Sequence, residues 1–271
     1  MDISDISKDK IKLIATDLDG TLLNNNKEIS KFNQEILKTL IKDYNVQLIL
    51  SSGRPYEGVK SYNKLLENNN YSIIFNGASI VDNSGKVIYK QTVEENYAKT
   101  IIKLSEKYDV CVHVYDNGKY IVSKEDFPIK SYVQKEQTIE PVIGLENIET
   151  YRFDKMLILG KRDILNELYK EISENTDVHS SFSGELSLEI TSKIGNKGKS
   201  LEWICNNKGI NPDNIIAFGD NFNDIEMIEY AGIGVAMANA EEELKQKADY
   251  IALSNEEDGV GNFLKNIFKL G

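Results

Sequence analysis

The sequence is short of the residues that staple small folds, cross membranes or bind soft metals. Of 271 residues only two are cysteine, Cys111 and Cys205, far apart and in no CxxC spacing. No disulfide framework follows, and two buried thiols are expected, as a reducing cytosol allows. Histidine is equally scarce, with His113 and His179 alone. Nothing pairs them, so both are expected to pack or to lie on the surface rather than to act as ligands. No stretch approaches the roughly 20 apolar residues of a transmembrane helix. The acidic start, with Asp2, Asp5 and Asp9, does not read as a secretory signal. A cytoplasmic protein without a membrane partner is expected. Positive charge is in deficit, 32 basic against 43 acidic residues for a net charge of −11. Such a chain repels phosphate backbones at long range, so nucleic acid is not expected as a partner.

What is present is enough for a core without staples: 41% of residues are hydrophobic, and the length suits one large domain plus an insert. The apolar run from Lys12 to Thr16 stops at Asp17-Leu18-Asp19-Gly20 and reads as a buried strand entering a loop. Ser30–Tyr44 has helical spacing with Ser30 as its cap. A second strand, Val46–Leu50, runs into Ser51-Ser52-Gly53-Arg54-Pro55, and a third, Ser72–Phe75, into Asn76-Gly77. Strand, helix and strand with short links form a parallel crossover unit.

After this the texture changes. Asp82-Asn83-Ser84-Gly85 and Asp116-Asn117-Gly118 read as hairpin turns, and Arg162–Asn175 as a helix. Parallel texture returns with a helix from Lys197 to Lys208, stopped by Gly209, and the strands Ile215–Phe218 and Gly232–Met237. The expected fold is α/β, a doubly wound parallel sheet built from 1–81 and 191–271, with an inserted α+β domain over 82–190.

Three of the parallel strands end in polar clusters: Asp17/Asp19, Ser52/Gly53/Arg54 and Asp220/Asn223/Asp224. Ligand sites of open parallel sheets lie beyond the carboxyl ends of the strands. Each cluster alone is equally well a turn; their agreement argues for one site. Carboxylates gathered there repel unless a hard cation joins them, and Mg²⁺ takes one or two carboxylates plus substrate phosphate. Ser52 and the Gly53 amide offer phosphate donors, and Lys197 brings a compact positive charge at a helix start. In an extended chain Asp17 and Asp19 share a side. One can attack phosphorus while the other supplies and removes protons.

Asp17-Leu18-Asp19-Gly20-Thr21 resembles the DxDGT signature of the haloacid dehalogenase superfamily. Ser52-Gly53-Arg54-Pro55, Asn196-Lys197-Gly198 and Gly219-Asp220-Asn221-Phe222-Asn223-Asp224 resemble its later motifs, in the same order. Phe75-Asn76-Gly77-Ala78 and Val235–Ala240 resemble its Cof-type phosphatases. The resemblance implies a Rossmann-like core with a cap between the second and third motifs. It implies Asp17 as nucleophile and Asp19 as general acid/base. Mg²⁺ would be held by Asp17, the Asp19 backbone carbonyl and Asp220, with Asp224 in support. Phosphate would be held by the Leu18 amide, Ser52, Gly53, Lys197 and Asn223. Ser52 stands where relatives usually carry Thr, which keeps the hydroxyl. The implied activity is hydrolysis of phosphomonoesters of small metabolites such as sugar phosphates. A phosphomutase or phosphotransferase, and a non-catalytic sensor of phosphorylated metabolites, remain as alternatives. Arg54 reads as a loop or anion-steering residue, not a catalytic one.

Overall fold

The computed structural model describes residues 6–116, 119–125 and 140–270. The acidic residues Asp2 and Asp5 and the turn pair Asn117-Gly118 lie outside the described residues. The strands are β1 Leu13–Asp17, β2 Gln47–Ser51, β3 Ser72–Ile74, β4 Ser79–Val81, β5 Val87–Lys90, β6 Cys111–Asp116, β7 Lys119–Val122, β8 Val142–Ile143, β9 Met156–Leu159, β10 Val178–Gly184, β11 Ser187–Ser192, β12 Ile215–Gly219, β13 Ile233–Ala236 and β14 Tyr250–Ile251. The helices are α1 Lys31–Asp43, α2 Lys60–Leu65, α3 Glu95–Ser105, α4 Arg162–Asn175, α5 Lys197–Lys208, α6 Ile225–Tyr230, α7 Glu242–Lys247 and α8 Gly259–Phe268. They fall into two compact units, 1–88 with 196–271, and 89–195.

The first unit carries a sheet in the order β14-β13-β12-β1-β2-β3-β4-β5. Its pairings from β14 across to β3 are parallel. β1 and β12 are buried along their whole length, as strands covered on both faces must be. From β1 the chain winds outward to β2 and β3, then later returns on the other side as β12, β13 and β14. The direction of winding therefore reverses at β1, which places the ligand edge at the carboxyl ends of β1, β2 and β12. Ser30 caps α1 by accepting the Asn33 amide, as its place before the apolar repeat predicts. Asn33 in turn accepts the Gly261 amide of α8, and Tyr44 meets Phe268 edge to face. The turn at Asp82–Gly85 closes through the Gly85 amide on Asp82. It joins β4 to β5 at the edge of this sheet, where β4 runs antiparallel to β3.

The second unit is a sheet in the order β10-β11-β9-β6-β7-β8, antiparallel except for the β7–β8 pair. Alternation decides its faces. Val112, Val114, Ile121, Met156, Ile158, Leu188 and Ile190 form one core with Ile101 of α3 and Leu165, Leu168 and Ile172 of α4. Both cysteines are buried and unbridged. His113 is buried with Nδ1 on the Tyr120 hydroxyl at 2.5 Å, whereas His179 is exposed. Among the described residues no helix is long and apolar enough to cross a membrane.

Candidate active site

The site grows from the end of β1. Asp17 closes that strand, and its carboxylate accepts Lys197 Nζ at 2.5 Å. Lys197 opens α5, whose first turn is capped by the Asn196 side chain on the Lys199 amide. The same ammonium reaches Asp224 Oδ1 at 2.6 Å. Residues 180 and 27 positions away in sequence thus meet on one nitrogen. Lys197 and Asp224 are fully buried and Asp17 is nearly so. α5 can bring Lys197 this close because residue 198 lacks a side chain: a Cβ there would stand 2.4 Å from the Glu226 carbonyl oxygen of α6.

Asp220 follows β12 and accepts the Thr21 hydroxyl on Oδ1 at 2.8 Å. Thr21 belongs to the DxDGT stretch, but nothing in sequence spacing shows that it orients Asp220. Asp17, Asp220 and Asp224 each offer one carboxylate oxygen within 4.8 Å of the others. Among the described residues this is the one such group of three. Burial pushes the Asp17 carboxyl up, and Asp224 and Asp220 add to the push against the opposing Lys197. Asp220 is pushed up to about 6, by burial first and then by the charge of Asp224. Burial acts to lower the Lys197 ammonium, but Asp17 and Asp224 outweigh it and hold it well above the usual lysine range.

Lys197 thus faces three carboxylates, and that imbalance tests the donor set for a metal. The surplus negative charge and the all-oxygen donors fit a hard divalent cation. Asp224 is the most engaged of the three. Its Oδ1 holds Lys197, and its Oδ2 accepts the backbone amides of Asp220 and Asn221 at 2.9 and 3.1 Å. It is at once a local cap and the second partner of the buried lysine.

Asp19 stands apart from that cluster. β1 ends at Asp17, so the extended geometry that would put residues 17 and 19 on one side stops there. Its carboxylate meets the Arg54 guanidinium with two bonds of 2.7 Å and Lys27 Nζ at 2.8 Å. Its partial burial acts to raise the carboxyl, but Arg54 and Lys27 hold it at about 2. The fork of Arg54 on a carboxylate is the strongest geometry available to that pair. Loop-forming residue types around Arg54 gave no sign of it.

The remaining sequence candidates sit at the same edge. Leu18 follows Asp17 and is buried. Ser52 follows β2, and its hydroxyl accepts the Arg54 amide at 3.2 Å. Gly53 comes next. Asn223 lies in the turn before α6 and donates from Nδ2 to Asn76 Oδ1 at 2.8 Å. The strand-end clusters of β1, β2 and β12 therefore belong to one edge of one sheet, with Lys197 joining those of β1 and β12 and Arg54 on Asp19 joining those of β1 and β2.

A family model described as haloacid dehalogenase-like hydrolase matches residues 14–264. The Bacillus subtilis (strain 168) 5-amino-6-(5-phospho-D-ribitylamino)uracil phosphatase YitU is 32% identical over 272 residues, with 95% of this chain and 98% of that protein covered. A second phosphatase of the same name and organism, YcsE, is 29% identical over 257 residues, covering 94% and 95% of the two chains. The crystal structure of a haloacid dehalogenase-like hydrolase from Bacteroides thetaiotaomicron superposes with a TM-score of 0.85 at 31% identity, over 95% of this chain and 100% of that one. With the fold, the acidic cluster and these matches pointing the same way, the chain belongs to the haloacid dehalogenase-like hydrolases, in their Cof-type branch, and is a phosphoric monoester phosphatase.

Proposed function

We propose that the protein hydrolyses phosphomonoesters of small metabolites through a phosphorylated Asp17. The observation that carries this reading is Lys197, fully buried, bridging Asp17 and Asp224 with Asp220 beside them. A carboxylate held by a buried ammonium at a sheet's ligand edge is placed for attack on an anion, because Lys197 has a third N–H for the transferring phosphoryl group. Asp17 attacks phosphorus, and the bond to the ester oxygen breaks. Asp19 gives that oxygen its proton. Water then attacks the aspartyl phosphate and returns a proton to Asp19, releasing inorganic phosphate and restoring Asp17. Asp19 can act as the acid only when its carboxylate leaves Arg54 and Lys27, since in their grip it stays ionised.

The metal of this reading is Mg²⁺, held by Asp17, Asp220 and the Asp19 backbone carbonyl with Asp224 in support. It would supply charge neutralisation on the phosphoryl oxygens. Leu18, Ser52, Gly53 and Asn223 are the proposed phosphate donors. The unit at 89–195 is the proposed cap, the part that selects the leaving group. The names of the two Bacillus relatives put 5-amino-6-(5-phospho-D-ribitylamino)uracil, beside sugar phosphates, first among esters to test.

The experiment is phosphate release from a panel of phosphorylated metabolites with Mg²⁺, followed by acid quench and mass analysis of the peptide holding Asp17. Released phosphate with a phosphoryl adduct on Asp17 is the expected result. A positional isomer of the ester with no free phosphate would make the protein a mutase. No turnover on any ester would remove the hydrolytic reading.

A further inference from the structure

The turn Phe75-Asn76-Gly77 after β3 is used by none of the roles above, yet it touches three of the four motif segments. Its residues have φ of 51°, 55° and 98°, a left-handed run in which two members are not glycine. The Phe75 amide donates to the Arg54 carbonyl at 3.2 Å and the Asn76 amide to the Ser52 carbonyl at 3.0 Å, which bolts the turn to the loop after β2. Gly77 is pressed against the start of α5. A Cβ on it would lie 2.1 Å from the Asn196 carbonyl carbon, and its own carbonyl accepts the Ser200 hydroxyl at 2.7 Å. The Asn76 side chain then reaches the third segment, where its Oδ1 accepts Asn223 Nδ2 at 2.8 Å.

The space this side chain occupies is the space a residue at position 53 would otherwise fill. A Cβ on Gly53 would stand 2.9 Å from Asn76 Oδ1 and 3.2 Å from its Nδ2. The glycine of the Ser52-Gly53 pair is thus explained by the amide that lies over it. Asn223 has two N–H groups on Nδ2. The bond to Asn76 uses one, fixes which way the amide faces, and leaves the second to donate elsewhere.

We infer that Asn76 is a positioning residue of the phosphate site: it orients the Asn223 amide toward the phosphoryl group and sets its distance from Gly53. The inference rests on the reading of Gly53 and Asn223 as phosphate donors. It assigns a role to a residue outside the four motifs. The left-handed backbone favours Asn, Asp or Gly at this position. That allows the amide to be deleted without changing the turn.

The test is direct binding of inorganic phosphate by calorimetry, with Mg²⁺ present, to the full chain. It is read beside hydrolysis of p-nitrophenyl phosphate. Asn76→Gly is expected to weaken phosphate binding by about tenfold and to raise KM by a similar factor, with its melting temperature close to the parent's. In an Asn223→Ala background the same change is expected to cost less than about twofold, because Asn76 acts through Asn223. An equal loss in both backgrounds, or unchanged binding in Asn76→Gly, overturns the inference while leaving phosphatase activity standing. Should Asn76→Gly fail to fold, Asn76→Asp decides. It keeps the acceptor for Asn223 but adds a negative charge over Gly53, and unchanged phosphate affinity in it overturns the placement. A parent protein that binds phosphate without turnover removes the hydrolytic reading and leaves this one testable. A parent that binds none overturns the inference, and one that also turns over no ester removes both.

Discussion

Two buried lysines show how differently the two units handle charge. In the second unit Lys155 is 5% exposed and meets Glu189 at 2.7 Å. In the first, Lys197 is 0% exposed and faces Asp17 and Asp224 directly, with Asp220 close by. Glu189 keeps some solvent, with its side chain 15% exposed, whereas Asp224 has none. A paired buried charge can be structural and nothing more. Two buried carboxylates and a half-buried third around one ammonium are poorly explained that way, because the surplus charge costs stability unless something binds to it. Buried salt bridges as such therefore do not mark a site. The unbalanced one carries the proposed site.

The largest effect should come from removing the carboxylate proposed to attack. Asp17→Asn is expected to lower phosphate release by about 10⁴-fold or more while the circular dichroism spectrum stays that of the parent. A rate within tenfold of the parent would break the assignment of the unbalanced cluster as the reaction centre. Next comes the lysine comparison. Lys197→Met strands buried carboxylates and is expected to cost about 3–5 kcal/mol in urea unfolding. Lys155→Met leaves a carboxylate with access to water and is expected to cost less, about 1–2 kcal/mol. Equal costs would erase the contrast.

A smaller effect separates cation from proton. The Asp220 carboxyl lies at about 6 rather than 3.8, so between those values the folded state holds a proton that the unfolded chain has released. Metal-free stability should therefore fall, through this group, as pH rises toward about 6, and the penalty should remain above it. A cation at the cluster reverses the preference. Mg²⁺ is expected to raise the melting temperature clearly at pH 7.5 and little at pH 5, where protons compete. An equal rise at both would place the ion elsewhere.

The smallest effect is at Asp19, whose carboxylate is partly open to solvent. Arg54→Met should release that carboxyl from about 2 toward its ordinary value. A depressed carboxyl contributes stability above its unfolded value near 4, and that contribution is lost as pH falls through about 2. The variant should therefore be less stable than the parent at pH 7, by less than about 1 kcal/mol after solvent screening. The gap should close near pH 2. A gap that persists there would mean that Arg54 acts through Tyr62, 5.7 Å from the ring centroid, and not through Asp19.

Much of the fold could be read from local pattern. β1, α1, α4 and α5 lie where apolar spacing, Ser30 and Gly209 put them, because burial of one face and a cap are short-range requirements. α3 escaped notice, its sequence offering no capping side chain at Glu94. Asn68, in the run Asn68-Asn69-Asn70, is buried and bonds to the Leu48 carbonyl and to Asn63, a contact that no local rule supplies.

Sequence alone determined which residue types gather at the strand ends. Asp17, Ser52, Lys197 and Asp220 carry their chemistry wherever they stand, and their place after apolar runs follows from where a buried strand must stop. Only the tertiary structure decided their partners. It put Asp224 on Lys197 rather than leaving it a cap alone, turned Asp19 to Arg54, and laid Asn76 over Gly53. Those choices depend on distances between strands and helices far apart in the chain, set by how closely backbones such as those at Gly198 and Gly77 can approach. Packing fixes such approaches globally, and no short stretch of sequence encodes them.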